Sequence, residues 1–274
     1  MNRRGLTLIE LLVAVAITGL LVGGIYRTFI SQQHTYTVQE QIVDMQQNVR
    51  LAINRMTREL RMAGYGRVGA TFFGSGKVHG IYQNAITPGG GGNSVTVVGG
   101  YQAVATLSAN ATSGSTSILV NDASGFNTGL KQYISINGTE SRQIQKITGN
   151  QIDFKGGTQL SEDHLAGEPV FLIMAITYSI GMFEGKSSLL RDDHLGLGLQ
   201  PVAENIENLR FRYVMDDGTT LDVVPAAQFD NIRMIQVTLV ARTDRIDPEL
   251  TKAGDGFRRR TLNSNIQVRN LGLI

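Results

Sequence analysis

The sequence predicts an α+β protein in which a long N-terminal α-helix packs on an antiparallel β-sheet, with a large β-rich insertion. Three observations predict it. Leu6 to Tyr26 is an apolar run carrying one charge, Glu10, and beyond it apolar residues recur at Val38, Ile42, Met45, Val49, Ala52, Met56, Leu60 and Ala63, in steps of four and three. That is the helical period, with one face to be covered. Thirteen glycines then fall between Gly64 and Gly114. After them come short β-prone runs separated by turn dipeptides, the signature of antiparallel strands.

The first element is the apolar run. Its twenty-one residues would span about 30 Å as a helix, enough for the hydrocarbon core of a bilayer. Arg3 and Arg4 precede it, so the positive-inside bias leaves them cytoplasmic and sends the rest of the chain outward. A secretory signal cleaved near Ala14-Val15-Ala16 would place Glu10 inside a very short apolar region and leave Ile17 to Ile25 without purpose. A twin-arginine signal lacks its following motif. Glu10 is costly in a membrane helix unless partnered, so it is read as functional. It lies four residues after Leu6, on the same helical face, near a helix N-terminus where negative charge is favoured.

The string Arg3-Arg4-Gly5-Leu6-Thr7-Leu8-Ile9-Glu10 resembles the prepilin cleavage motif of type IV pilins and type II secretion pseudopilins. The resemblance implies that prepilin peptidase cuts between Gly5 and Leu6 and methylates the new terminus at Leu6, where the family more often has phenylalanine. It implies that Glu10 neutralises the terminal amine of a neighbouring subunit during assembly. Residues 1–5 are then a leader peptide, 6–26 the transmembrane and assembly helix, and 27–63 its amphipathic continuation. The implied fold is pilin-like. Gly64, after Arg58 and Arg61, suits a helix C-cap.

In the insertion, residues 64–168, Gly89 to Gly92 follow Pro88 but lack the lysine of a phosphate-binding loop. They read as a plain loop. Strands are expected at Ser94–Val98, Ser117–Val120, Tyr133–Ile136, Gln143–Ile147 and Gln151–Phe154, with Asn137-Gly138 and Gly149-Asn150 as hairpin turns. Residues 169–274 form a C-terminal antiparallel region. Pro169–Ile180 reads as its long central strand, followed by Ile206–Val214, Thr220–Val224 and Ile232–Ala241, with a turn at Asp217-Gly218. The order of these segments, with Arg58-Glu59-Leu60-Arg61 at the helix end and Val268-Arg269-Asn270 near the last residue, is similar to PilW-type minor pilins. It overlaps with the larger minor pseudopilins.

Other chemistries find little support. With no cysteine there is no disulfide or thiolate metal site, and a net charge of +2 gives no bulk attraction to nucleic acid. His34, His79, His164 and His194 lack metal-ligand spacing and read as surface residues. Asp192-Asp193 and Asp216-Asp217 with Asp222 lack the alternating acidic spacing of a calcium loop. Arg258-Arg259-Arg260 is a basic cluster whose members would alternate faces in a strand, which argues against a phosphate-binding patch. No serine, histidine and acid group themselves as a triad, so no catalytic residue, cofactor or metal is expected.

The reading is a minor pilin of the initiation or tip complex, held in the inner membrane by one span before assembly and then displayed at the cell surface. Its partners are prepilin peptidase, other minor and major pilins, and the inner-membrane assembly platform. The alternatives are a minor pseudopilin and a periplasmic binding protein or enzyme using the same N-terminus as an anchor.

Overall fold

The computed structural model describes residues 7–66, 77–251 and 254–271. One helix, α1, runs Leu8–Arg61. No proline interrupts it, Glu10 stands in its first turn, and Arg58 and Arg61 in its last turn oppose the negative end of the helix dipole. It continues unbroken through Gly19, Gly23 and Gly24. Along the apolar stretch the Thr18 and Thr28 hydroxyls are satisfied within the helix, donating to the carbonyls of Ala14 at 2.7 Å and Gly24 at 3.0 Å. The helix ends two residues before the expected Ala63. Met62 and Ala63 already close i→i+3 bonds to Glu59 and Leu60, and Gly64 turns the chain at φ +79°.

Two compact units divide the chain. One joins the helix up to Gln46 with Thr243–Arg258. Within it Asp247, 4 % exposed, accepts Arg258 Nε at 2.9 Å and Nη2 at 2.6 Å, and faces His34 Nε2 at 3.6 Å. The Arg258 hydrogen bonds hold the Asp247 carboxyl below the ordinary carboxylate value.

The other unit joins Gln47–Arg242 with the strand that begins at Arg259. Its strands are β1 (Ile86–Pro88), β2 (Ser94–Thr106), β3 (Ser117–Leu119), β4 (Tyr133–Ile136), β5 (Glu140–Thr148), β6 (Gln151–Phe154) and β7 (Pro169–Phe183). They continue with β8 (Lys186–Asp192), β9 (Gln200–Glu204), β10 (Ile206–Met215), β11 (Thr220–Leu221), β12 (Ile232–Arg242) and β13 (Arg259–Gln267). All pairings are antiparallel. The first nine strands make one sheet around β7. One edge of β7 carries β2, while the other is shared by β4 at Val170–Leu172 and β8 at Thr177–Phe183. The sheet therefore takes strands from both sides of residue 168. The second sheet has the order β11-β10-β12-β13.

β7 is the predicted long central strand, and its middle, Leu172–Ile176, is buried throughout, as a strand covered on both faces requires. In β10 and β12 buried and open residues alternate, so one face meets the core. The predicted turns stand where expected, with φ positive at Asn137, Gly138, Gly149 and Gly218. The differences also have reasons. β8, β9 and β13 are polar strands whose composition hides them, and β13 buries Ile266 alone. Of the strand expected at Thr220–Val224 only Thr220 and Leu221 pair, and the next residue, Asp222, binds the guanidinium groups of Arg210 and Arg212.

The second half of α1 buries Val49, Ala52, Met56 and Leu60 to 1 % exposure or less. One buried polar cluster fixes it to the sheet. Glu59 Oε2 accepts the Tyr178 hydroxyl at 2.6 Å and Arg191 Nε at 3.0 Å, and Arg191 Nη1 reaches Asp193 at 3.1 Å. Burial, reinforced by the Glu59 charge, pushes the Tyr178 phenol far up and keeps it a donor. β2 passes the helix end so closely that a Cβ on Gly99 would lie 2.6 Å from the Met62 carbonyl oxygen. Gly99 is a packing requirement.

Candidate assembly site

Of the residues singled out at the N-terminus, Glu10 is described, while Gly5 and Leu6 lie outside the described residues. Thr7 is the residue before the first helical position, and its carbonyl accepts the first i→i+4 bond from Leu11 at 3.2 Å. Glu10 turns back on it. The Glu10 Oε2 accepts the Thr7 amide at 2.9 Å and the Thr7 hydroxyl at 2.8 Å, while the Glu10 amide donates to Thr7 Oγ1 at 3.4 Å. This is a capping box, in which two otherwise orphaned amides at the helix start are satisfied reciprocally. Glu10 therefore has a partner within its own chain. Sequence reasoning missed Thr7, although Thr-x-x-Glu before an apolar run is the signal for it.

From Leu8 to Ile25 the helix is exposed on every side, with Leu8 80 % and Leu20 79 % open. Among the described residues this is the one helix long and apolar enough to cross a membrane, with a mean hydropathy of 2.4 in its most apolar window. An unpartnered apolar surface all round a helix is covered by lipid or by other helices. The carboxylate at its start is exposed and is engaged with Thr7.

The other candidates are structural. Of the four histidines expected at the surface, His34 stays partly open, His79 and His194 are half-buried, and His164 is buried. His164, 2 % exposed, bridges Glu140 Oε1 at 2.8 Å and Glu168 Oε2 at 2.7 Å, and Arg142 closes the cluster on Glu140. Burial raises the Glu140 carboxyl, but the Ser161 amide, His164 and Arg142 outweigh it and hold the group below its ordinary value. His79 and His194 face one another with ring centroids 5.8 Å apart, and His194 Nε2 meets Thr177 Oγ1 at 2.8 Å. Sequence spacing cannot reveal such clusters, because hairpins bring the members together.

The acidic candidates are engaged locally. Asp192 caps the amide of His194, Asp193 meets Arg191, Asp217 holds Thr219, and Asp222 holds two arginines. They do not converge on a common point. In the basic triplet, Arg258 is bound to Asp247 and Arg259 to Glu207.

One family model matches the N-terminus. Residues 1–26 match the family model described as the prokaryotic N-terminal methylation motif. A solved structure of a type IV-like pilin from Thermus thermophilus is similar at 12 % identity and a TM-score of 0.36, over 82 % of this chain and 97 % of that one. No curated protein matches the chain.

Proposed function

For this type IV prepilin-like protein, we propose a role as a minor pilin, processed by prepilin peptidase between Gly5 and Leu6 and incorporated into the initiation or tip complex of the fibre. The observation that carries the reading is the start of α1, where a methylation motif leads into a wholly exposed apolar helix with one carboxylate at its first turn. Cutting after Gly5 would leave an amine on Leu6, the residue next to the Thr7 amide that already holds Glu10. An incoming subunit's amine would be drawn to that carboxylate in a lipid setting, where a charge pair is much stronger than in water. The inner-membrane platform and the other pilins supply the remaining contacts. The strand-rich bulk between α1 and β7 supports a place at the tip, where a subunit has fewer neighbours to clear than in the shaft.

The test is made in cells that assemble pili. Expression with active prepilin peptidase should shorten the chain by Met1 to Gly5 and add a methyl group to Leu6, both read by mass spectrometry. Glu10→Ala should leave the cut intact and remove the protein from sheared fibres. A chain with the same mass and function in a peptidase deletion would be an anchored periplasmic protein. Co-purification with secretion components instead of fibres would make it a pseudopilin.

A further inference from the structure

Three arginines open onto one groove at the end of α1. Arg58 and Arg61 come from the last turn of the helix and Arg269 from the segment just after β13, and the groove they line has a volume of about 580 Å³. All three are exposed. Among the described residues none has a carboxylate within ion-pair distance, and no acidic side chain lines the groove. Many other arginines are paired, Arg142 with Glu140, Arg191 with Glu59, Arg258 with Asp247, and Arg210 and Arg212 with Asp222.

The helix dipole explains part of this. Cations in the last turn of a helix are favoured, which accounts for Arg58 and Arg61. It does not account for Arg269, which belongs to another segment. That segment is tied in place by the Asn270 side chain, whose Nδ2 donates to the carbonyls of Ala63 at 3.2 Å and Arg61 at 3.4 Å. A third arginine is thereby brought to the same groove as the two of the helix end. Tyr65 and Thr57 add an aromatic face and a hydroxyl to the same groove. Planar guanidinium forks match carboxylates in two-point hydrogen bonds.

We propose that the groove receives an acidic polypeptide segment of a neighbouring filament subunit; the inference rests on the assembly reading above. The groove has the volume of a few side chains, which suits a short peptide segment. A strand of nucleic acid would need a stripe of free cations continuing well beyond these three to follow its phosphates.

The experiment places the photo-cross-linking residue p-benzoylphenylalanine at Asn54, an exposed position lining the groove, in the full chain in piliated cells. Irradiation should give an adduct with another pilus subunit, mapped by mass spectrometry to a peptide containing aspartate or glutamate. Its yield should fall about tenfold in Arg58→Glu/Arg61→Glu/Arg269→Glu, the loss of several charge-assisted hydrogen bonds. Replacing the mapped acids by arginine should restore it. Arg269→Glu alone, on an exposed side chain, should show a partial loss and guards against misfolding of the triple variant. An adduct with nucleic acid, a yield unmoved by the substitutions, or no adduct from a chain that is processed and present in fibres would overturn the proposal. A chain that keeps its leader and never enters fibres would instead overturn the assembly reading.

Discussion

Single residues in this molecule act mainly by being partnered. Glu59 and Arg191 are 9 % and 7 % exposed and satisfy each other together with Tyr178. Removing one member leaves an uncompensated charge inside, so Arg191→Met should cost about 3 kcal/mol of stability. The thermal midpoint of the full chain in detergent should drop by several degrees. Tyr178→Phe removes a donor and no charge, so it should cost about 1 to 2 kcal/mol, and its effect should shrink when Glu59 is already Gln. Glu140 makes a pH prediction. Its carboxyl is held below the ordinary value of 4.5, so its contribution is complete above that value and is lost as the pH falls through the lowered one. The midpoints of wild type and Glu140→Gln should thus lie furthest apart above pH 4.5 and converge on acidification. A gap that stays constant to pH 3 would show that the carboxylate charge is not what stabilises the cluster.

At the scale of elements, the contact between β2 and the end of α1 is set by backbone proximity. Gly99→Ala should destabilise the protein by about 2 kcal/mol, because the new methyl group meets a main-chain oxygen that cannot rotate away. Gly90→Ala, with nothing within 4 Å and no positive φ, should leave the midpoint unchanged and serves as the control. What sequence could show follows from the same logic. α1 was legible because its period is local, and β7 because a long uncharged run fits only a covered strand. The two-residue turns were legible from glycine and asparagine, which tolerate φ above zero. β8, β9 and β13 were not legible, since their residues are polar and their pairing partners fix them as strands. Glu10 announced itself by its cost, and the Thr-x-x-Glu spacing before an apolar run is the local signal for Thr7, whereas the arginine groove leaves none because it brings together positions more than two hundred residues apart.

For the whole molecule, the charges flanking the apolar part of α1 predict which side of a membrane the strands would occupy. Arg3 and Arg4 precede the run, and after it the chain offers Arg27, then Glu40 and Asp44, before the next arginine at position 50. Basic residues close to a span are retained in the cytoplasm, so the short basic leader should hold the N-terminus inside while everything after Tyr26 crosses. On the proposed processing, the orientation would be set before cleavage, because a cut after Gly5 would discard both arginines. Alkaline phosphatase fused after Ile274 should therefore be active and green fluorescent protein at the same place dark when both are exported by this span. Arg3→Glu/Arg4→Glu should lower phosphatase activity in proportion to the chains that invert. A bright fluorescent fusion, or phosphatase activity indifferent to those two charges, would show that the segment is oriented by something other than its leader and would remove the topology on which assembly from the inner membrane depends.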